Sequence, residues 1–174
     1  MKVLAFDLAT HCGVAVCAGG ESPRAWSVDL SLAKTLTEGQ RWARALRMAE
    51  RYADEHKPDF VAIEAPIGGK NTSMFLVGLA ACVEAQVSRM GYPCTAYNIG
   101  AIRKHFLGKA LTARDFPGLS HAAAKKAIKA AVMGRCRLLG WTVEDDDAAD
   151  AAALADYALA MHRVQVAPGG GLFL

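Results

Sequence analysis

A change of hydrophobic period near residue 36 constrains this chain more than any other feature. Before it, the apolar segments "KVLAFDL", "CGVAVCAGGE" and "RAWSVDL" follow one another through tight connections, the second closing on a Gly-Gly turn. Short extended runs joined in this way pair as an antiparallel meander. From about Leu36 to His56 the period becomes helical. Leu36, Ala43, Leu46, Met48, Ala49 and Tyr52 make an apolar stripe, while Arg41, Arg44, Arg47 and Arg51 recur near Glu38, Glu50, Asp54 and Glu55 on a solvated face. "KPDFVAIEAP" then reads as a buried strand after a proline turn, and "YPCTAYNI" as a further strand. Between them "NTSMFLVGLAACVEAQVSRMG" reads as a helix with Asn71, Thr72 or Ser73 as N-cap. A loop at "LTARDFPGLS", a helix from His121 and a last helix opened by "VEDDDAADAAALADYAL" complete the pass. This order predicts an α/β fold: a mixed five-stranded sheet, three meander strands plus two parallel ones, flanked by helices.

A length of 174 residues with 53% hydrophobic and 21% charged residues predicts one folded domain over residues 1–166, followed by a flexible tail, "APGGGLFL", at 167–174. The N-terminus lacks the apolar core and cleavage site of a signal peptide, and "MFLVGLAACV" is too short to span a bilayer. Five cysteines without a C-x-x-C pair read as reduced thiols. Together these predict a cytoplasmic protein that does not engage membranes.

The net charge of +3 is unevenly placed. Arg103, Lys104, Lys109, Arg114, Lys125, Lys126, Lys129, Arg135 and Arg137 fall in one segment, with Asp115 as the single acid among them. A solvated helix face is the ordinary reading of a charge run, but cations so weakly opposed repel unless a polyanion relieves them. The segment therefore points to nucleic acid or phosphate. The helix beginning near Met74 is apolar on almost every side as far as Glu84, so it is either buried or shared with a partner.

Acids end two of the predicted strands, Asp7 and Glu64, and others open the last helix. Asp147 and Asp150 are three apart and share one helix face. Helix N-termini favour acids, so Glu144, Asp145 and Asp146 need no catalytic role, and Asp147 could itself be a cap. Asp150 lies inside the helix among alanines, and an unpaired carboxylate after the apolar strand residues of "AFDLA" is costly to bury. Four carboxylates brought together need cations between them; oxygen ligands favour Mg²⁺ or Mn²⁺, and two such ions form a clamp for in-line attack on a phosphodiester.

With these acids, "FDLATHCGVAV", "VAIEAPIGGKN" and "DDDAADAAALADYAL" resemble the RuvC family of Holliday junction resolvases, in the RNase H-like superfamily, over nearly the whole chain and in matching order. The resemblance implies an RNase H-like fold with Asp7, Glu64, Asp147 and Asp150 as catalytic metal ligands. It implies a homodimeric endonuclease that uses Mg²⁺, two ions per site with Mn²⁺ able to substitute, and nicks four-way DNA junctions symmetrically in recombination and repair. The helix from Met74 to Val83 takes the dimer role, and a branch-migration motor is a possible partner class. Lys104 and Lys125 or Lys126 match family lysines near the scissile phosphate; Lys70 and Asn71 are phosphate-contact candidates at a helix N-terminus, and Arg103 and Lys109 join them on the basic segment. Ile67 stands in a loop where some family members carry an aromatic, a departure that resembles phage or prophage branches.

Other chemistries fail on spacing. "GGKNTS" lacks both the first glycine and the Ser or Thr after lysine of a P-loop; the histidines show no metal-ligand spacing, and no G-x-S-x-G elbow occurs. A sugar-kinase or actin-like ATPase, suggested by "DLATHCG", would need a second lobe. The alternatives that remain are another RNase H-like nuclease acting on branched DNA or structured RNA, and a non-catalytic junction-binding protein.

Overall fold

The computed structural model describes residues 1–31, 36–69 and 72–166. Strands β1 (Lys2–Asp7), β2 (His11–Ala18) and β3 (Arg24–Asp29) form the antiparallel meander. Helix α1 (Glu38–His56) leads to β4 (Phe60–Glu64), and α2 (Met74–Arg89) to β5 (Cys94–Tyr97). Both later strands run parallel to β1, giving the sheet order β3-β2-β1-β4-β5. Helices α3 (Ile99–Leu107), α4 (His121–Leu138) and α5 (Asp146–Val166) follow, with a short 3₁₀ turn at Ala113–Asp115. The mixed sheet and its helical flanks match the sequence reading; the predicted tail lies outside the described residues.

The sheet separates two cores. Val3, Ala5, Phe60 and Ala62 face α3, α4 and α5, while Leu4, Phe6, Val61 and Ile63 face α1 and α2. Side chains alternate along a strand, so Asp7, two beyond Ala5, and Glu64, two beyond Ala62, belong to the α5 side. The parallel register Phe6↔Ile63 leaves these acids side by side at the carboxyl end of the central strands.

Helix α1 begins at a capping box: Gln40 N–H donates to Thr37 Oγ1 (3.3 Å) and Thr37 N–H to Gln40 Oε1 (2.9 Å). Of the three N-cap candidates for α2, Ser73 takes the position. Helix α2 buries Leu79, Ala80, Val83 and Val87 on one side, leaving Met74 74% exposed and Ala81 and Ala85 exposed on another. The apolar character noted along its whole circumference thus resolves into one packed face and one open face. Among the described residues, no helix is long and apolar enough to cross a membrane.

Helix α5 lies across β1 and β2, where Ala148, Ala149, Ala151, Ala152, Ala155 and Ala158 are fully buried. Methyl side chains let the helix sit close to the strands. Ala149→Leu, which would force extra volume into that contact, is expected to cost about 1–3 kcal/mol in urea unfolding; wild-type stability would contradict the flush packing.

Candidate active site

The amino end of α5 is carried over the carboxyl ends of β1 and β4 by a close backbone contact. Asp7 pairs with Gly13 across the β1–β2 ladder, and a Cβ built on Gly13 would stand 2.0 Å from the peptide oxygen of Asp147. A side chain there would push the helix off the sheet, so glycine is required for close approach rather than for a turn. Asp145 caps the helix: its Oδ1 accepts from Ala148 N–H (2.8 Å) and from Ser27 Oγ–H on β3 (2.6 Å). The cap is therefore Asp145, not Asp147, whose Oδ1 accepts from Lys129 instead (2.8 Å).

Asp7, Glu64, Asp147 and Asp150 come together at this point. Burial raises the Asp7 carboxyl well above the usual carboxylate range, and the charges of Glu64, Asp150 and Asp147 push it further. Glu64 rises to about 7, first through burial and then through Asp150; Arg103 and a hydrogen bond with Asp7 oppose the shift. Asp150 rises to about 6, again through burial first, against the opposing charges of Lys129 and Arg103. Three raised acids that act on one another's charge are the signature of carboxylates gathered without enough countercharge.

Part of the compensation comes from Lys129 on α4. Its Nζ lies 2.6 Å from Asp146 Oδ2 and 2.8 Å from Asp147 Oδ1. Burial, which favours the neutral amine, is outweighed by these two bonds, and the Lys129 pKa rises. Asp146, read as a helix-capping acid, thus serves as a lysine partner. Arg103 on α3 is close enough to act on Glu64 and Asp150, and its Nε is buried without a hydrogen-bond partner among the described residues. As the side chains stand, no three His, Cys, Asp or Glu groups among the described residues are arranged to hold a metal ion; Asp147 is engaged by Lys129 instead. The donor set is all oxygen and short of positive charge, which suits a hard divalent cation once Asp147 turns from the lysine.

The remaining sequence candidates divide. Lys125 and Lys126 are exposed one turn before Lys129 on α4, and Lys104 is exposed on α3. Lys109 is taken up by an ion pair with Asp115, whose carboxyl is held down to about 2 by hydrogen bonds from Lys109 and Thr112. Lys70 and Asn71 lie outside the described residues. Sequence reasoning passed over Lys129, Gly13 and Ser27 as site residues. Lys129 had a usable signal, since it falls three and four positions after Lys126 and Lys125.

Known proteins resemble this chain in sequence and in fold. No family model matches the chain. The crossover junction endodeoxyribonuclease RuvC of Rhodococcus opacus is 29% identical over 161 residues, covering 89% of this chain and 79% of that protein. The RuvC structure of Thermus thermophilus superposes with a TM-score of 0.66 at 18% identity, covering 95% of this chain and 98% of that one. The same protein in complex with a Holliday junction substrate gives 0.68 at 18% identity, covering 95% and 97%. The chain is RuvC-like in sequence and in fold. Its mixed five-stranded sheet is the arrangement expected from the order of elements, and the RuvC structures share the fold.

The raised acids fix the sign of a pH effect. Their protonated forms are favoured in the folded state, so their contribution to stability is present below the unfolded carboxylate range. It is lost as pH rises through about 6 for Asp150 and about 7 for Glu64. With chelator present, the melting temperature should fall between pH 5 and pH 8. Asp7→Asn should flatten that fall and raise the melting temperature at pH 8 by about 3–6 °C. A lower melting temperature for Asp7→Asn at pH 8 would show that the four acids do not repel.

Proposed function

We propose that this chain is a metal-dependent, structure-selective endonuclease that resolves four-way DNA junctions by paired symmetric nicks. The observation that carries the reading is the convergence of two strand-end acids and a helix-borne D-x-x-D pair on one undercompensated point. The likeness to crossover junction endodeoxyribonucleases, and to a RuvC structure in complex with a Holliday junction, supports branched DNA as substrate.

Asp7, Glu64, Asp147 and Asp150 would hold Mg²⁺, two ions per site, with Mn²⁺ able to substitute. Such ions supply a nucleophilic water at neutral pH and neutralise charge on the departing 3′ oxygen. Asp7 and Glu64 fix the floor of the site from rigid strand ends, while Asp147 and Asp150 close it from the helix. Lys129, released from Asp147, stands ready to meet a phosphate oxygen, and Arg103 favours the ionised forms of Glu64 and Asp150 against the burial that raises their pKa. Lys104, Lys125 and Lys126 carry the exposed positive charge that draws the DNA backbone, with Lys70 and Asn71 as further contacts.

Paired nicks need paired sites, and the open face of α2 is the surface proposed for a homodimer. It presents Met74, Ala81 and Ala85 to solvent beside the loop that follows Glu64. Ala81→Arg should convert a dimer to a monomer in light scattering and turn paired nicks into slow single ones. A dimer unaffected by Ala81→Arg would place the interface elsewhere. A branch-migration motor is a further partner class that this reading admits.

The test is cleavage of a labelled four-way junction, a flap and linear duplex in Mg²⁺. Wild type should give symmetric nicks in the junction, and Asp7→Asn should bind it without cutting, losing at least about 1,000-fold in rate. Tight binding without cleavage by wild type would identify a junction-binding protein. Cleavage of structured RNA in preference to any junction would reassign the substrate.

A further inference from the structure

The seat of α5 rests on one row of residues that crosses three strands: Asp7 pairs with Gly13, and Gly13 with Ser27. Each member touches the head of the helix in its own way. Asp7 meets the charges of Asp147 and Asp150; Gly13 leaves room for the Asp147 carbonyl; Ser27 donates to the cap residue Asp145. The same Asp145 oxygen accepts from Ala148 N–H, so one carboxylate ties the first turn of α5 to the edge strand 118 residues earlier.

What makes this tie consequential is the rest of the contact. Where α5 crosses β1 and β2 it is buried largely through alanines. Methyl groups fill space but interdigitate little, so they resist lateral displacement better than rotation of the helix about its axis. Rotation is what decides where Asp147 and Asp150 point. Polar contacts at the helix head oppose it: Lys129 of α4 on Asp146 and Asp147, and Ser27 of β3 on Asp145. If Lys129 leaves Asp147 when a cation arrives, its bond to Asp146 ties the helix head to a flexible lysine stem, and Ser27 ties it to the sheet.

Resting on the endonuclease reading above, we propose that Ser27 is a positioning residue: by anchoring the Asp145 cap to β3 it fixes the rotation of α5 and aims Asp147 and Asp150 at Asp7 and Glu64. Ser27 touches neither metal ligand nor substrate in this role and acts through Asp145.

Ser27→Ala and Ser27→Thr are compared with wild type in three measurements: single-turnover junction cleavage, junction affinity in chelator, and Mn²⁺ affinity by calorimetry without DNA. Ser27→Ala should cut roughly ten- to a hundredfold more slowly, the scale at which misaimed catalytic groups lose rate. It should also bind Mn²⁺ several-fold more weakly while holding the junction as tightly as wild type. Ser27→Thr, which keeps the hydroxyl, should recover most of both losses. Unchanged cleavage and Mn²⁺ affinity in Ser27→Ala would overturn the proposal, as would equal impairment of the Thr variant. Should wild type itself neither bind Mn²⁺ nor cut any junction, the endonuclease reading fails and the role of Ser27 with it. Cutting by wild type with an unaffected Ser27→Ala removes the Ser27 proposal alone.

Discussion

Carboxylates do not gather at the end of a sheet unless packing elsewhere holds them there, and in this chain the packing is that of an alanine-rich helix on the two central meander strands. Six alanines of α5 are fully buried, and Gly13 gives up its side chain so that the helix head can settle beside Asp7. The free energy of that contact is spread over many small apolar surfaces, whereas the repulsion it overcomes is concentrated in a few charges. Packing and charge therefore pull in opposite directions at this point.

The countercharge in the structure is incomplete and mobile in kind. Lys129 satisfies Asp146 and Asp147 directly, and Arg103 acts on Glu64 and Asp150, yet Asp7, Glu64 and Asp150 all stay above their ordinary range. A lysine on a flexible stem can yield its place to a harder cation, whereas a second structural arginine pair would not. In the proposed function that same ammonium is the one offered to a phosphate oxygen.

Much of this could be read in the sequence because strands alternate and helices repeat. Asp7 and Glu64 each end a legible strand and Asp147 and Asp150 share a helix face by spacing, whereas the common face of the two strand acids follows from the β1–β4 register. What could not be read depends on how α4 and α3 are rotated against α5. The family pattern points to Lys104, Lys125 and Lys126 as phosphate contacts; that Lys129 meets the acids depends on the phase of α4 against α5. Lys109 belonged to the same basic run and is absorbed locally by Asp115. Asp145, Asp146 and Asp147 are adjacent and chemically alike, so their separate roles follow from which side of the helix head faces Ser27 and which faces Lys129. Gly13 looked like one more small residue in "HCGVAV" until a helix carbonyl was found above it.

If these acids form one cation-binding unit, as the proposed function requires, their protons are displaced when the cation arrives. Calorimetric titration of Mg²⁺ or Mn²⁺ into the protein, repeated in buffers of different ionisation enthalpy, measures that displacement directly. With Glu64 near 7 and Asp150 near 6 in the absence of metal, binding at pH 6 should release protons, and the release should fade by about pH 8.5. Binding that releases no protons at pH 6, or that persists unchanged in Asp7→Asn, would contradict the account.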